Sequence, residues 1–181
     1  MIIGLTGKKQ SGKTTAATYL RNNYGFEEVT FAAPLKKMAA IMLDVDASYF
    51  EGTEAQKTTK IPYWNITGRE FLQCVGTELF RNELPLHLPQ LEGFWIKRLE
   101  KTLCDASPDS LILVSDVRFP DEAALIKKFG GIIIGIVSAS FPTQEPDAHA
   151  SENQDIKCDR IIKNKFDNTF YEELDKLYYS F

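Results

Sequence analysis

The sequence predicts an α/β fold of three layers, a parallel sheet of about five strands with helices on both faces. Three observations lead there. Short runs are apolar at nearly every position instead of every second one, as in parallel strands buried on both sides. Helical stretches separate those runs, and a repeated β-α-β order implies a parallel sheet with right-handed crossovers. A glycine-rich stretch, Gly7-Lys8-Lys9-Gln10-Ser11-Gly12-Lys13-Thr14, stands between the first apolar run and the first helical one.

The strands are expected at 1–6 (MIIGLT), 29–32 (VTFA), 111–115 (LILVS), 132–137 (IIIGIV) and, more weakly patterned, 160–163 (RIIK). Thr67 and Glu70 form a capping-box pattern that predicts a helix over 68–81, with Phe71, Leu72, Val75 and Leu79 as its buried stripe. Pro120, Asp121 and Glu122 suit a first helical turn and Gly130-Gly131 its end, so a helix is expected over 120–129. Thr169 and Glu172 repeat the capping pattern for a last helix. The polar, irregular stretches 44–66 and 138–158 are where covering segments would be inserted. The chain of 181 residues, 44% hydrophobic, is expected to be one domain, with a helical insertion over about 34–106 and a lid-like segment over about 138–158.

Composition narrows the function. Twenty-one basic against 25 acidic residues leave a net charge of −4, which argues against a protein that wraps a nucleic-acid backbone. No apolar run approaches the roughly 20 residues of a membrane span, and the first residues lack a secretory layout. A soluble, cytoplasmic protein is therefore expected. Cys74, Cys104 and Cys158 are too scattered for a disulfide framework or a zinc knuckle, and with His87 and His149 the sequence has only two histidines.

Gly7 to Thr14 matches the phosphate-binding P-loop pattern in full. Its glycines let backbone amides turn inward around phosphate oxygens, and the following helix N-terminus adds partial positive charge. Lys13 would neutralise the outer phosphates and Thr14 would ligate Mg²⁺. The expected nucleotide-binding set is Gly7, Lys9, Ser11, Gly12, Lys13, Thr14 and Thr15. Asp116, just after the third strand, stands where such a fold places an acid that serves the metal. Arg118 would project from the carboxyl edge of the sheet, where ligands of open α/β folds collect.

A second anion site is expected on the helix over 68–81. Arg69, Gln73, Gly76 and Thr77 share a face that is small and polar. Arg69 opposes the helix dipole, at roughly 0.3–1 kcal/mol, and Gly76 interrupts the helix, at about 1 kcal/mol relative to alanine. Two departures from local preference on one face suggest a bound anion. Lys36, Arg81, Lys97 and Arg98 could add positive charge, and Tyr63, Trp64, Trp95 and Phe141 could either stack on a base or pack the core.

Together these segments resemble the deoxynucleoside monophosphate kinases of bacteriophages and other large DNA viruses. The matching stretches are LTGKKQSGKTTAA, FAAPLK, GREFLQCVGTELFR, SDVRFPDEA and HASE followed by DRIIKN, which span residue 4 to about 164. The resemblance implies transfer of the ATP γ-phosphoryl group to a deoxynucleoside 5′-monophosphate, with ATP and Mg²⁺ as the required small molecules. It implies Lys13, Asp116 and Arg118 as catalytic, Thr14 and Asp116 at the metal, and Lys36, Arg69, Gln73, Arg81 and Arg118 on the monophosphate. His149 and Glu152 match an HxSE element in the lid-like segment. The segment SASFPTQEPDAHASE has no basic residue where the family carries an arginine, so Arg118, Arg98 or Arg160 would substitute. A homodimer and the identity of the base stay open. Other small-molecule P-loop kinases, of the dephospho-coenzyme A or phosphomevalonate type, share the opening loop. Asn164-Lys165-Phe166-Asp167 matches the N-K-x-D pattern of guanine-nucleotide switches, although Asp116-Val117-Arg118-Phe119 is not a switch's D-x-x-G.

Overall fold

The protein's structure is a computed structural model that describes residues 1–51, 54–139 and 155–180. Its apolar runs pair as β1 (Ile2–Thr6), β2 (Glu27–Val29), β3 (Ile112–Val114), β4 (Ile132–Ser138) and β5 (Arg160–Asn164). They form one sheet in the order β2-β3-β1-β4-β5. Every neighbouring pair is parallel, with Gly4 opposite Val114 on one side of β1 and Ile133 on the other. From β1 the chain crosses to the edge strand β2, returns to place β3 beside β1, and then passes to β4 and β5 on the other side; this reversal puts the ligand crevice of such a sheet at the carboxyl end of β1.

Two compact units divide the chain, Met1–Thr30 with Glu100–Phe181, and Phe31–Leu99. In the first, α1 (Lys13–Tyr24) and α8 (Asn168–Tyr178) bury Leu20, Leu174 and Leu177 against Ile3, Leu5, Ile134, Ile136 and Ile162 of the sheet. Residues alternate across a strand, so Gly4 faces the other way. There α7 (Pro120–Lys128) packs so close that a Cβ on Gly4 would lie 2.7 Å from Ile126 Cδ1. Asp175 of α8 ties the first face together by accepting from Tyr19 Oη at 2.8 Å and Tyr24 Oη at 2.5 Å. The hydrogen bonds to the shared carboxylate push both phenols above their ordinary pKa.

Two expectations shift here. The second strand lies at Glu27–Val29, not 29–32, because its partner β3 ends at Val114, the residue opposite Val29. The last helix is capped by Asp167, whose carboxylate accepts from Thr169 N at 3.0 Å, and not by Thr169. The strand ends otherwise agree within a residue or two, and the helix over 120–129 is α7.

The second unit holds α2 (Ala33–Leu43), a 3-10 turn at Ala47–Tyr49, α3 (Glu54–Thr58), α4 (Gly68–Gln73), a π-helical run at Cys74–Glu83, α5 (Leu84–His87), a 3-10 turn at Pro89–Leu91 and the start of α6 (Phe94–Asp105). Its core joins Ala39 and Leu43 of α2 to Phe50 and Ile61. The stretch 44–66, expected to be an irregular cover, is thus anchored by two buried apolar residues and contains a helix.

The expected capping box is present: Thr67 N donates to Glu70 Oε2 at 2.8 Å and Glu70 N to Thr67 Oγ1 at 3.1 Å. The Thr67 amide and the Thr67 hydroxyl, which donates to the same Oε2 at 2.9 Å, hold the Glu70 carboxyl below its usual range. The expected buried stripe is correct only as far as Val75, because Leu79 is 47% exposed. From Cys74 onward the hydrogen bonds run i to i+5, which widens the turn and moves the inward position from i+4 to i+5. Phe80 takes that position, with its ring 5.0 Å from Phe94 and 5.4 Å from Trp95.

Candidate active site

The loop after β1 is shaped by residues that few side chains could replace. Gly7 has φ +143°, and a Cβ there would lie 2.2 Å from Ile136 O of β4. Gly12 has φ +103°, and a Cβ would lie 2.2 Å from the Asn164 Nδ2 at the end of β5. Gln10, between them, also has positive φ at 61°. Such backbone turns expose consecutive amides on one side, the arrangement that receives anions.

Three features then point inward. Lys13 Nζ donates to Gly7 O at 2.5 Å and to Lys8 O at 2.7 Å, so two loop carbonyls draw the ammonium across the loop. The first turn of α1 has no acidic residue, and Gly12 offers no side-chain cap to its amides. Ser11 Oγ is buried and has no hydrogen-bond partner among the described residues. An orphaned hydroxyl costs roughly 1–3 kcal/mol, and a phosphate oxygen in the loop would satisfy it. The residues therefore fit a nucleotide polyphosphate.

Asp116 leaves β3 next to this loop, since β3 pairs with β1 and Val117 N donates to Leu5 O at 3.1 Å. The turn that carries Asp116 and Arg118 is fixed by Glu122, a carboxylate only 4% exposed. It accepts from Arg118 N at 2.7 Å and Phe119 N at 3.1 Å. Arg118 itself is exposed. On the other side of β3, Ser115 Oγ donates to Glu28, which also receives Arg21 at 3.3 Å. Glu122, Asn164 and Glu28 were missed as supports in the sequence. Glu122 could have been found as an acid three residues beyond a helix start, a position that suits amide capture.

Thr14 and Thr15 stand exposed in the first turn of α1, and Lys9 is half-buried in the loop. No cluster of three or more His, Cys, Asp or Glu side chains suited to a metal occurs among the described residues.

Lys36 on α2, Arg69 and Gln73 on α4 and Arg81 in the π-helical run are all half-buried in the second unit, whereas Arg118 belongs to the first. Gly76 needs no ligand to explain it. A Cβ there would lie 2.6 Å from Leu35 Cδ2, and its carbonyl accepts from Trp95 Nε1 at 2.9 Å. Packing thus accounts for one of the two helix irregularities, and Arg69 remains the other. Trp95 is buried and packs, whereas Trp64 is 43% exposed, with its Nε1 donating to Leu43 O at 2.9 Å. Lys97 donates to Gln90 O at 2.9 Å, and Arg98 is exposed. His149, Glu152 and Phe141 lie outside the described residues.

No family model matches the chain. A protein of Acanthamoeba polyphaga mimivirus named "Putative deoxynucleotide monophosphate kinase" is 35% identical over 184 aligned positions, covering 96% of this chain and 94% of that protein. The chain belongs to the viral-type deoxynucleoside monophosphate kinase family. The solved structure of TT1252 from Thermus thermophilus superposes with a TM-score of 0.53 at 15% identity, over 99% of this chain and 96% of that one. That likeness concerns the fold alone. In this kinase-family member the guanine-type tetrapeptide does structural work: Asn164 grips the loop through Ser11 O at 3.0 Å and Asp167 caps α8. No helix among the described residues is long and apolar enough to cross a membrane.

Proposed function

We propose that the protein transfers the γ-phosphoryl group of ATP·Mg²⁺ to the 5′-phosphate of a deoxynucleoside monophosphate, giving the diphosphate. The observation that carries this reading is the loop itself, in which the Lys13 ammonium is held by two carbonyls and Ser11 Oγ is buried with no partner among the described residues. The acceptor class rests on the mimivirus relative's name and on the half-buried cations of the second unit.

Phosphoryl transfer needs alignment and charge neutralisation more than covalent help. Gly7, Lys9, Ser11, Gly12, Thr14 and Thr15 hold the triphosphate of ATP, and Lys13 neutralises charge as the bond to the leaving oxygen lengthens. Thr14 and Asp116 would hold magnesium, which when bound would add to the neutralisation of the phosphates. Arg118, presented by the Glu122-fixed turn, offsets charge on the transferring group. Lys36, Arg69, Gln73 and Arg81 bind the acceptor phosphate, so the attacking oxygen belongs to the monophosphate and no protein nucleophile takes part. His149 and Glu152 are proposed for the lid-like segment. The reaction is that of a cytoplasmic enzyme acting on small nucleotides, in the host cell if the chain is viral.

A coupled assay of ADP formation with ATP and a panel of deoxynucleoside and ribonucleoside monophosphates tests this. At least one deoxynucleotide should support turnover far above the ATP hydrolysis background. A panel with no acceptor, or with dephospho-coenzyme A or phosphomevalonate as the better substrate, would overturn it.

A further inference from the structure

We propose that Asn164 is a positioning residue for the nucleotide: its side-chain amide sets the orientation of the Ser11–Gly12 peptide and thereby the affinity of the loop for ATP. The inference rests on the reading of that loop as the ATP site, and it assigns a task to the first residue of a tetrapeptide that the guanine-switch comparison leaves unexplained.

Asn164 ends β5, on the far side of β4 from β1. It is 2% exposed. Its Nδ2 donates to Ser11 O at 3.0 Å and its Oδ1 accepts from Phe166 N at 2.8 Å, while its own carbonyl accepts from Ala139 N at 2.8 Å. The amide is therefore anchored on the sheet side and cannot swing to follow the loop.

Peptide planarity carries the consequence. In a trans peptide the C=O and the following N–H point in opposite directions. A Ser11 carbonyl held by Asn164 sends the Gly12 N–H the other way, away from β5. Gly12 at φ +103° has no Cβ to prevent the amide's approach to 2.2 Å of where that atom would be. Without the donor, this peptide is free to turn its carbonyl toward the phosphates, which exchanges a donor for a repelling oxygen. The tetrapeptide's other end, Asp167, caps α8, so Asn164 and Asp167 lock the last strand and helix to the loop with no base required.

Asn164→Asp is the discriminating variant. It keeps the shape and the acceptor for Phe166 N but presents no donor to Ser11 O at neutral pH. Titration with a fluorescent ATP analogue and Mg²⁺ should show Kd raised by about tenfold or more, as expected for a lost buried hydrogen bond replaced by repulsion. KM for the monophosphate should stay within about twofold, with the melting profile still cooperative. An unchanged Kd, or equal changes in both constants, overturns the proposal, because a merely structural role lowers the amount of active protein and not the affinity for one substrate. If Asn164→Asp does not fold, Asn164→Ser carries the same test, since a hydroxyl can accept from Phe166 N but is too short to reach Ser11 O. The binding titration needs no acceptor: a wild-type chain that binds ATP yet phosphorylates no deoxynucleotide sinks the proposed activity and leaves Asn164 to be judged on Kd. A wild-type chain that binds no ATP sinks both.

Discussion

The anion sites proposed for the two units are made of different materials. The first uses backbone: a loop of positive-φ residues between β1 and α1, braced by Lys13 on its own carbonyls and by Asn164 from β5. The second offers side chains on helices, Lys36, Arg69, Gln73 and Arg81, whose directions depend on helical phase. A backbone cradle tolerates almost any side chain at its variable positions, so a short motif suffices to describe it. A helical face moves as a whole when a single turn changes pitch. The π-helical run does this, separating Val75 from Leu79 and bringing Phe80 inward.

The contrast can be broken most directly at Lys13. Lys13→Ala should lower kcat by about 10²–10³-fold, the usual cost of removing one preorganised charge-stabilising donor, as measured by the coupled assay. Wild-type turnover would remove the cradle from the mechanism. Arg69→Ala should raise KM for the monophosphate by about tenfold or more, a magnitude typical of a lost charged hydrogen bond, with KM for ATP nearly unchanged. Equal rises in both would erase the division of labour between the units.

Helical phase is tested by a smaller effect. Val75→Ala should destabilise by roughly 1–2 kcal/mol in denaturant unfolding, whereas Leu79→Ala should fall within about 0.5 kcal/mol. A regular α-helix predicts similar losses at both, so comparable values would contradict the π-helical register. The smallest effect concerns acid. Asp159, bonded by Ile133 N and Lys127, and Asp167, bonded by Thr169, are both held below the usual carboxylate range. Their ionised forms favour the folded state, so the contribution is complete above the unfolded pKa, near 4, and is lost as pH falls through the lower folded values. Thermal midpoints should be flat in this respect from pH 5 to 8 and decline below about pH 4. A decline that begins near pH 6 would point to other groups.

Much of the first unit was legible because its signals are local. Gly7 to Thr14, the apolar runs and Pro120-Asp121-Glu122 each report a backbone conformation within a few residues. The edge strand β2 was misplaced because its limits are set by β3, some eighty residues away in sequence, and not by its own composition. In the second unit Thr67 and Glu70 announced the start of α4, but nothing local announced the change of pitch after Gln73. Gly76 looked like a mark of ligand binding and is a packing glycine, since the neighbour that requires it, Leu35, lies on another helix. Asn164 was hidden for the same reason: it acts on a backbone group 153 residues away, and a side chain's remote partner leaves no periodic trace.

The bond from Asn164 to Ser11 and the clasp of Asp175 on Tyr19 and Tyr24 also bear on synthesis. The glycine loop precedes β5 and α8 in the chain, so it is synthesised before the strand and helix that secure it. A growing chain therefore carries the loop without its bracing until residues 160–178 have been released to fold back on it.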